Sequence, residues 1–449
     1  MPLFDAVVVA DSPHASATIL GLTLAERGRR VAAVAGARRT FVLAGGDGAK
    51  RRPPYDDPGG VGLDAPSAGR PDDAGGAAEL AAWDAERGAA GLLVVRAGDQ
   101  LVHTPLVAPL VGGPEGAGGG DRRIAVGPDG AYAGALFAEG AAAAEAIAAL
   151  AADPDDRVLA ARWTDAVRVE HGPIARHAAT TREERRAATR MLLQILVKHE
   201  DSPVSRYIYR PLSRPLSRLL VDTPVTPNQV SILVGIIGLI GCWFAAQASQ
   251  RDLVIGSVLV LAAGIIDGCD GEIARLRLIT SKFGAWLDTV VDELTTMAFF
   301  IAVGLHLYAR HPEPWVPPLI AVGALGIFLT VYVIYYFLIH VSKTGNSQHY
   351  IGDLVLDDGG GLHPRPRAAS TFPPWVRKIG YAIMLVIRRD FINLGCVLIA
   401  LVDGYYVIFA GIGTGGVVTA AIIVPEHFRL RAQLREIARR GAEPHLVVS

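Results

Sequence analysis

The chain has 449 residues, a formal net charge of −1 and a hydrophobic fraction of 51%. This length allows two or three domains, and the balanced charge provides no basic field of the kind that attracts nucleic acid, so we expect no nucleic-acid partner. The mean hydropathy of +0.33 comes almost wholly from the part after residue 225, which predicts a polar half followed by a membrane half.

Residues 1–180 are predicted to form a cytoplasmic α/β domain. Strand-like and helix-like segments alternate there, as in a parallel sheet covered by helices. In chain order they are FDAVVVAD, a helix from Thr18 to about Ala35, TFVLAG, a helix from about Ala77 to Arg87, and GLLVVRAG. Two linkers rich in Gly and Pro interrupt this pattern, at positions 51–76 and 112–120.

The order of these elements resembles that of sugar-phosphate and inositol-phosphate nucleotidyltransferases, which have a Rossmann-like fold. Active members carry a glycine-rich loop directly after the first strand, where backbone N–H groups cradle a triphosphate. Here Ala10–His14 contain no glycine, and the glycine-rich string Leu43–Arg51 follows the second strand instead. Asp99 stands where the resemblance implies a metal-binding aspartate. We expect a degenerate domain that serves as a scaffold, oligomerisation surface or regulatory module.

Residues 181–225 are predicted to form amphipathic juxtamembrane helices. Arginines recur there every four residues, at Arg206, Arg210, Arg214 and Arg218. On a helix they would form one basic stripe, which is typical of a helix lying on an anionic membrane surface. Pro211 and Pro215 predict that this helix is kinked or broken.

Hydropathy predicts six membrane spans within residues 226–428, each near the length of about 20 residues that crosses hydrocarbon. They are approximately Gln229–Ala248, Leu253–Ile273, Phe283–Tyr308, Val316–Val341, Ile379–Val402 and Tyr405–Val424. Lys and Arg concentrate in the connections after the second and fourth spans. The positive-inside rule then predicts an inner-membrane protein whose N-terminal domain, active site and basic tail, residues 429–449, are cytoplasmic. The expected fold is a six-helix polytopic membrane domain behind a soluble α/β domain.

Four aspartates lie where the second and third spans meet the cytoplasm, in the string DGCDGEIARLRLITSKFGAWLDTVVD. Asp267 and Asp270 are three residues apart and Asp288 and Asp292 four apart, so each pair projects from one face of a helix. Two such faces form a cage of oxygen ligands, which Mg²⁺ and Mn²⁺ prefer. The alternative is a set of helix-end aspartates that are solvated at the interface and hold no metal.

The spacing D-x2-D-G-x2-A-R-x8-G-x3-D-x3-D resembles the signature of the CDP-alcohol phosphotransferases. The resemblance implies a membrane enzyme that moves a phosphoryl-alcohol unit from a CDP-alcohol to an acceptor hydroxyl and releases CMP. It implies Mg²⁺ or Mn²⁺ as cofactor, held by Asp267, Asp270 and Asp288, and it implies Asp292 as the general base. It also implies a CDP site formed by Gly271, Ala274, Arg275, Gly284 and Asn228. The segment Thr226-Pro227-Asn228 is equally typical of a helix N-terminus.

The predicted fifth span is interrupted by Arg388, Arg389 and Asp390, and such charges avoid lipid. If they face the bundle, Arg388 and Arg389 would bind the phosphate of an acceptor. The alternative is that both arginines snorkel to the interface and that Asp390 is their ion-pair partner.

Two classes of function remain open at this point. The resemblance implies phospholipid biosynthesis by a homodimer, with CDP-diacylglycerol or CDP-inositol as donor and a polyol or polyol phosphate as acceptor. Some relatives carry a fused cytidylyltransferase, so a bifunctional enzyme that makes and consumes its own CDP-alcohol is a variant of this class. The other class is a non-catalytic membrane protein that binds a cation. Arg275 and Gly284 disfavour it, because a pure cation site needs neither.

Overall fold

The computed structural model describes residues 3–43, 74–112, 120–196, 201–279, 281–345, 350–352, 354–356, 361–364, 388–439 and 445–446. Most of the glycine-rich string 43–51 and of the two linkers lies outside these residues. The chain divides into two compact units. Unit 1 is Met1–His199 with Ser217–Val225 and Glu272–Thr280, and unit 2 is Glu200–Leu216, Thr226–Gly271 and Ser281–Ser449.

The core of unit 1 is a seven-stranded sheet with the order β10-β8-β9-β6-β1-β4-β5. The strands of this unit are β1 Phe4–Val9, β2 Thr18–Ile19, β3 Leu22–Thr23, β4 Thr40–Leu43, β5 Ala74–Gly75, β6 Gly91–Arg96, β7 Gln100–Val102, β8 Arg122–Val126, β9 Tyr132–Ala138, β10 Val167–Glu170 and β11 Arg176–Ala178. Strand β9 runs antiparallel to β6 and β8, whereas β1 is parallel to β4 and β6. The sheet is therefore mixed, not parallel as expected. The turn between β8 and β9, closed by Gly130 N–H to Gly127 O, is too short for the crossover that parallel strands need.

Helices cover both faces of this sheet. They are α1 Leu24–Val34, α2 Ala77–Asp84, α3 Ala108–Gly112, α4 Gly140–Ala152, α5 Asp156–Arg162 and α6 Arg182–Leu193, with 3₁₀ turns at Thr104–Leu106 and Gln194–Leu196. Consecutive β1 residues enter different apolar clusters, Val7 with Leu92 on one face and Val8 with Val31 on the other. This two-sided burial explains why β1 is a continuous apolar run.

The first helix begins later than the sequence predicts. Residues Thr18–Thr23 form the β2–β3 hairpin, whose turn places Leu20 at φ 49° and Gly21 at φ 78°. Helix α1 then starts at Leu24, and the Thr23 hydroxyl accepts a hydrogen bond from Glu26 N at 3.1 Å. A left-handed turn of this kind has no periodic signal in the sequence, so the prediction of one helix from Thr18 was wrong.

The juxtamembrane segment is a π-helical turn, Ser205–Tyr209, followed by α7, Arg210–Leu220. The helix is not broken, and Pro215 lies in its interior. The predicted basic stripe is not one exposed face either, since Arg210 is buried while Arg206 and Arg218 are exposed. The buried guanidinium pairs with Asp201 through Nη2 and Oδ1 at 2.9 Å. That carboxylate compensates its charge, which the spacing of the arginines could not reveal.

Among the described residues, five helices are long and apolar enough to cross a membrane. The helices after α7 are α8 Pro227–Ala245, α9 Gln250–Arg277, α10 Lys282–Arg310, α11 Val316–Phe337 with a π-helical extension to Ser342, α12 Arg389–Leu401 and α13 Tyr405–Arg439. All except α12 meet that criterion. Of the predicted fifth span, 379–402, the part up to residue 387 lies outside the described residues. The described part forms the 13-residue α12. The prediction of six spans is therefore not confirmed.

Close helix packing and a small sheet complete unit 2. The strands β12 Leu354–Leu356, β13 Gly361–Pro364 and β14 His445–Leu446 form the sheet. Helices α8 and α9 pack at Gly241 and Gly256, where a Cβ on Gly256 would lie 2.5 Å from Ala245 N. Helix α10 contacts α13 where the rings of Phe300 and Phe409 stack with their centroids 5.2 Å apart. These contacts hold α9 and α10, which carry the four aspartates.

Candidate metal centre and nucleotide site

The four aspartates of the motif lie on two helices, as their spacing predicts. Asp267 and Asp270 are on α9, and Asp288 and Asp292 are on α10. Helix α10 begins with a cap in which the Ser281 hydroxyl accepts a hydrogen bond from Gly284 N at 2.8 Å. This cap satisfies one of the amide groups that a helix N-terminus leaves unpaired.

Three of the four carboxylates meet. Asp267, Asp288 and Asp292 each place one carboxylate oxygen so that these oxygens lie within 4.8 Å of one another. Oδ1 of Asp267 and Oδ1 of Asp292 are buried and have no hydrogen-bond partner among the described residues. Three negative charges at this separation repel one another unless a cation or protons compensate them. The donor set therefore fits a divalent cation, which takes carboxylate oxygens as ligands.

Asp270 lies outside this group of three and is bonded to α8, the first candidate membrane span. Its Oδ2 accepts a hydrogen bond from the Ser231 hydroxyl at 2.5 Å. Ser231 was not identified in the sequence, although it lies three residues after Asn228 and hence on the same face of α8. The other oxygen, Oδ1, accepts a hydrogen bond from Gly271 N, so α8 and α9 both contribute to the orientation of this carboxylate.

The start of α8 approaches the start of α10. A Cβ on Gly284 would lie 3.0 Å from Asn228 Oδ1, so a larger residue at position 284 would crowd the asparagine. Thr226 caps α8 and its hydroxyl accepts a hydrogen bond from Gln229 N at 3.3 Å. The segment is thus a helix N-terminus and also brings Asn228 next to Gly284. Of the other residues implied for a CDP site, Gly271 follows Asp270 on α9, and Ala274 and Arg275 lie further along this helix in unit 1.

The region that contains these aspartates is similar to known proteins. Residues 224–372 match the profile of the CDP-alcohol phosphatidyltransferase family. The chain contains a CDP-alcohol phosphatidyltransferase domain. It is 36% identical over 138 residues, 30% of this chain and 31% of the relative, to a bifunctional IPC transferase and DIPP synthase of Aquifex aeolicus (strain VF5). The protein of the same name from Rubrobacter xylanophilus (strain DSM 9941 / JCM 11954 / NBRC 16129 / PRD-1) is 41% identical over 138 residues, with the same two shares.

A CDP-diacylglycerol–serine O-phosphatidyltransferase of Mycobacterium leprae (strain TN) is 31% identical over 112 residues, which are 24% of this chain and 35% of that protein. The chain thus spans about a third of the length of these curated relatives. An α/β unit in front of a phosphatidyltransferase domain, together with relatives that are bifunctional by name, fits a fused nucleotidyltransferase and CDP-alcohol phosphotransferase.

The two arginines that interrupt the predicted fifth span, Arg388 and Arg389, have different surroundings. Arg389 forms an ion pair through Nη1 with Oδ2 of Asp292, so it lies beside the aspartate group. Arg388 is 46% exposed, and its Nε is 3.8 Å from Oδ1 of Asp390. The position of Arg389 fits the expectation that these arginines face the bundle. That of Arg388 fits the alternative of an ion pair at the interface.

Asp390 also fixes the start of α12. Its Oδ2 accepts hydrogen bonds from the Ser202 hydroxyl and, at 3.1 Å, from Ser205 N. The juxtamembrane segment therefore holds the first turn of α12, and this turn carries Arg389. The sequence indicated no such role for Ser202, because 188 residues separate it from Asp390.

In unit 1, the residue at the position of a metal-binding aspartate is paired with arginines. Asp99 Oδ2 accepts a hydrogen bond from Arg157 Nη2 and lies 4.0 Å from Arg96 Nη1. Arg96 also binds Asp156, which accepts a hydrogen bond from the Tyr132 hydroxyl at 2.6 Å. Burial, reinforced by the charge of Asp156, raises the pKa of Tyr132 well above its ordinary value. Arg157 and, at a longer distance, Arg96 thus compensate the charge of Asp99, while its Oδ1 is buried without a hydrogen-bond partner among the described residues.

Proposed function

We propose that the chain is an integral membrane phosphotransferase. It would transfer a phosphatidyl or phospho-polyol group from a CDP-alcohol to an acceptor hydroxyl and release CMP, in phospholipid biosynthesis. The observation that supports this best is the convergence of Asp267, Asp288 and Asp292 within the region that matches the family profile. CDP-diacylglycerol is the donor named for one relative, and we propose it or CDP-inositol as the donor here.

We propose Mg²⁺ or Mn²⁺ as the cofactor and Asp267, Asp270 and Asp288 as the residues that would hold it. A divalent ion at such a site neutralises the negative charge that grows on the phosphates during transfer. The buried, unpaired Oδ1 of Asp267 supports this assignment. The Ser231 hydroxyl would orient Asp270, in the way that groups behind a metal ligand commonly do.

Asp292 would act as the general base. Its Oδ2 is held by Arg389, whereas its Oδ1 has no partner among the described residues and can accept a hydrogen bond from an acceptor hydroxyl. The proton would pass to this oxygen as the acceptor oxygen bonds to phosphorus and CMP leaves with the bridging oxygen. The ion pair with Arg389 fixes the direction of the carboxylate for this step.

We propose a CDP site made of small residues, one amide and one guanidinium. It comprises Gly271, Ala274, Arg275, Gly284 and Asn228. The absence of a Cβ at Gly271 and Gly284 would let the nucleotide approach the backbone closely, and Arg275 would offer a planar fork of donors to a phosphate.

For the acceptor, we propose a polyol phosphate whose phosphate is bound by Arg389. A guanidinium has five N–H donors, so one bond to Asp292 leaves others for a phosphate. Arg388 is exposed and next to Asp390, and we assign it an interfacial anchoring role. A polyol without phosphate would leave the remaining donors of Arg389 unpaired.

We further propose the following organisation. The chain would have six membrane spans, of which the fifth, residues 379–402, lies partly outside the described residues, and its domains would be 1–180, 181–225, 226–428 and 429–449. The site and both ends of the chain would be cytoplasmic at the cell membrane, and the enzyme would be a homodimer.

The test of the proposed function is a donor and acceptor screen with the purified full chain. CDP-diacylglycerol and CDP-inositol are combined with polyols and polyol phosphates, and CMP is measured. We expect CMP only when a donor and an acceptor are both present. A protein that binds Mn²⁺ yet releases no CMP from any pair belongs to the cation-binding class instead.

A bifunctional enzyme is the second candidate, and the bifunctional relatives favour it. We propose instead that the α/β domain transfers no nucleotides, because Arg157 and Arg96 compensate Asp99. The full chain, given CTP and a panel of alcohol phosphates including inositol phosphate, should produce no pyrophosphate. Pyrophosphate that disappears in Asp99→Ala would establish the bifunctional enzyme.

A further inference from the structure

Helix α9, which carries the first two aspartates, ends in unit 1 with its own backbone turn. The last four carbonyls of a helix have no partner within it. Two of them are satisfied locally, because Ala274 O accepts a hydrogen bond from Ile279 N at 2.9 Å and Arg275 O accepts one from Leu278 N at 3.3 Å. Leu278 adopts φ 53°, which is the left-handed conformation that closes a helix in this way.

The other two carbonyls are capped by α1 of the α/β domain. Leu276 O accepts a hydrogen bond from Arg27 Nη2 at 2.8 Å, and Arg277 O accepts one from Arg30 Nη1 at 2.9 Å. All four terminal carbonyls of α9 are thereby satisfied. Two positive charges at the C-terminal end of a helix also interact favourably with its dipole. These residues all belong to unit 1.

Arg27 is a costly residue for a purely structural position. Its side chain is completely buried, and Nε and Nη1 have no partner among the described residues. Besides Leu276 O, it contacts Ile19 O at 3.4 Å. Burial of a guanidinium with so few acceptors is unfavourable, and an apolar side chain would fill this space at lower cost. The hydrogen bond to α9 is the compensating contact.

The same end of α9 also holds the segment that leads into α8. The Arg277 guanidinium donates hydrogen bonds to backbone carbonyls at the end of α7 and just after it. The acceptors are the carbonyls of Leu220, Val221, Thr223 and Val225. The β2–β3 turn lies against this run, since a Cβ on Gly21 would be 2.3 Å from Val221 O. The α/β domain thus contacts the end of α9 and the residues immediately before the cap of α8.

We propose that α1 is a positioning element for the phosphotransferase, in which Arg27 and Arg30 fix the end of α9 and thereby the placement of Ala274 and Arg275 for the CDP group. This proposal rests on the proposed function for its kinetic consequence. It gives the α/β domain a role that requires no nucleotidyl transfer. Arg27 and Arg30 are positioning residues, since neither would touch substrate.

The test uses the full chain with Arg30→Ala and Arg27→Met, and Arg29→Ala as the matched control. Arg29 is the neighbouring α1 residue whose guanidinium pairs with Glu26. Amide hydrogen exchange in residues 272–279 should accelerate about tenfold in the first two variants and stay unchanged in the control. The apparent KM for the CDP-alcohol should rise about fivefold, whereas that for the acceptor should not change. Arg30→Lys, which keeps a cationic N–H donor at this position, should show smaller changes in exchange and in the donor KM than Arg30→Ala.

The two readouts separate this proposal from the function on which it rests. If the wild-type chain releases no CMP, exchange alone decides whether the arginines hold the end of α9. Exchange in Arg30→Ala equal to that in Arg29→Ala would overturn the proposal. Faster exchange with unaltered donor kinetics in an active enzyme would also overturn it, because the contact would then be a helix cap only. If Arg27→Met does not fold, Arg30→Ala carries the test.

Discussion

At the residue scale, Arg389 determines how Asp292 is presented to the other aspartates. The ion pair occupies one oxygen of Asp292 and leaves the other without a partner among the described residues. Asp267 has a similarly unpaired oxygen, and both belong to the group of three that meets within 4.8 Å. Arg389 therefore fixes the orientation of the Asp292 carboxylate, and the group still has oxygens that can accept a bond. A site for a cation and an acceptor hydroxyl requires both.

Removal of one charge from the aspartate group should separate metal binding from base catalysis. We expect Asp267→Asn and Asp288→Asn to lose Mn²⁺, detected by electron paramagnetic resonance, and to lose CMP release. Asp292→Asn should keep Mn²⁺ and still lose CMP release by about 100-fold or more, since general-base catalysis contributes at least that much. Asp252→Asn, in the first turn of α9, is the control. Full activity of Asp288→Asn would contradict these roles.

The role of Asp270 is tested by the same series. It stands apart from the group of three and is bonded to Ser231, yet we expect Asp270→Asn to weaken Mn²⁺ binding. If Asp270→Asn keeps its Mn²⁺ affinity and Asp292→Asn loses it, Asp292 is a metal ligand and Asp270 is not.

The arginine pair allows a comparison between adjacent residues. We expect Arg389→Ala to raise the apparent KM for a polyol phosphate about tenfold, and more than the KM for the donor, because a charge-assisted contact to the phosphate is lost. Arg388→Ala is the control and should leave both constants nearly unchanged. Equal effects of the two substitutions, or a preferred acceptor that carries no phosphate, would contradict the role of Arg389.

At the element scale, the crossing of α8 and α9 controls where Asp270 lies. Gly241 and Gly256 let the two backbones approach, and a Cβ on Gly256 would be 2.5 Å from Gly241 O as well as from Ala245 N. Small residues allow such close packing of membrane helices. Because Ser231 on α8 binds Asp270 on α9, a shift at this crossing also reaches the site.

Gly256→Val should force the two helices apart. Overpacking of this kind costs about 1–3 kcal/mol, so the apparent melting temperature in detergent should fall and CMP release should fall with it. Gly395→Ala on α12 is the control, since a Cβ there meets nothing within 4 Å. A Gly256→Val protein as stable and active as the control would show that the crossing is looser than described.

The elements that the sequence predicted best are those with strong local signals. Helices α9 and α10 follow from apolar length and from aspartates at helical spacing, and β1 and β6 from apolar runs. The β2–β3 hairpin and the antiparallel β9 depend on tight turns, and the burial of Arg210 depends on its ion pair with Asp201, which is not part of the arginine repeat. No local pattern reports such contacts, so these features had to come from the structure.

The same division holds for the candidate site. The motif spacing predicted that the aspartates of α9 and α10 would form one cage, whereas the structure brings Asp267, Asp288 and Asp292 together and leaves Asp270 outside that group. Spacing could not predict that Ser231 binds Asp270 or that Arg389 rather than Arg388 reaches the aspartates. Both contacts depend on how separate helices pack, and their partners are far apart along the chain.

At the scale of the whole molecule, the residues of α9 are divided between the two compact units. The helix begins in unit 2 as a candidate membrane span and ends in unit 1, where its last carbonyls are capped. Hydropathy located the polar and the apolar halves of the chain. It could not show that residues 217–225 and 272–280 belong to the compact unit of the first half, because that assignment rests on tertiary contacts.

The measurement that tests the central claim most directly is the stoichiometry of transfer by the purified chain in lipid vesicles. A CDP-alcohol and a polyol phosphate are supplied with Mg²⁺, and CMP and the phosphodiester product are quantified together, with and without EDTA. We predict equal amounts of CMP and product, no turnover with EDTA, and no turnover by Asp288→Asn under either condition. Transfer that persists in EDTA, or CMP that appears without a matching phosphodiester, would contradict a metal-dependent CDP-alcohol phosphotransferase.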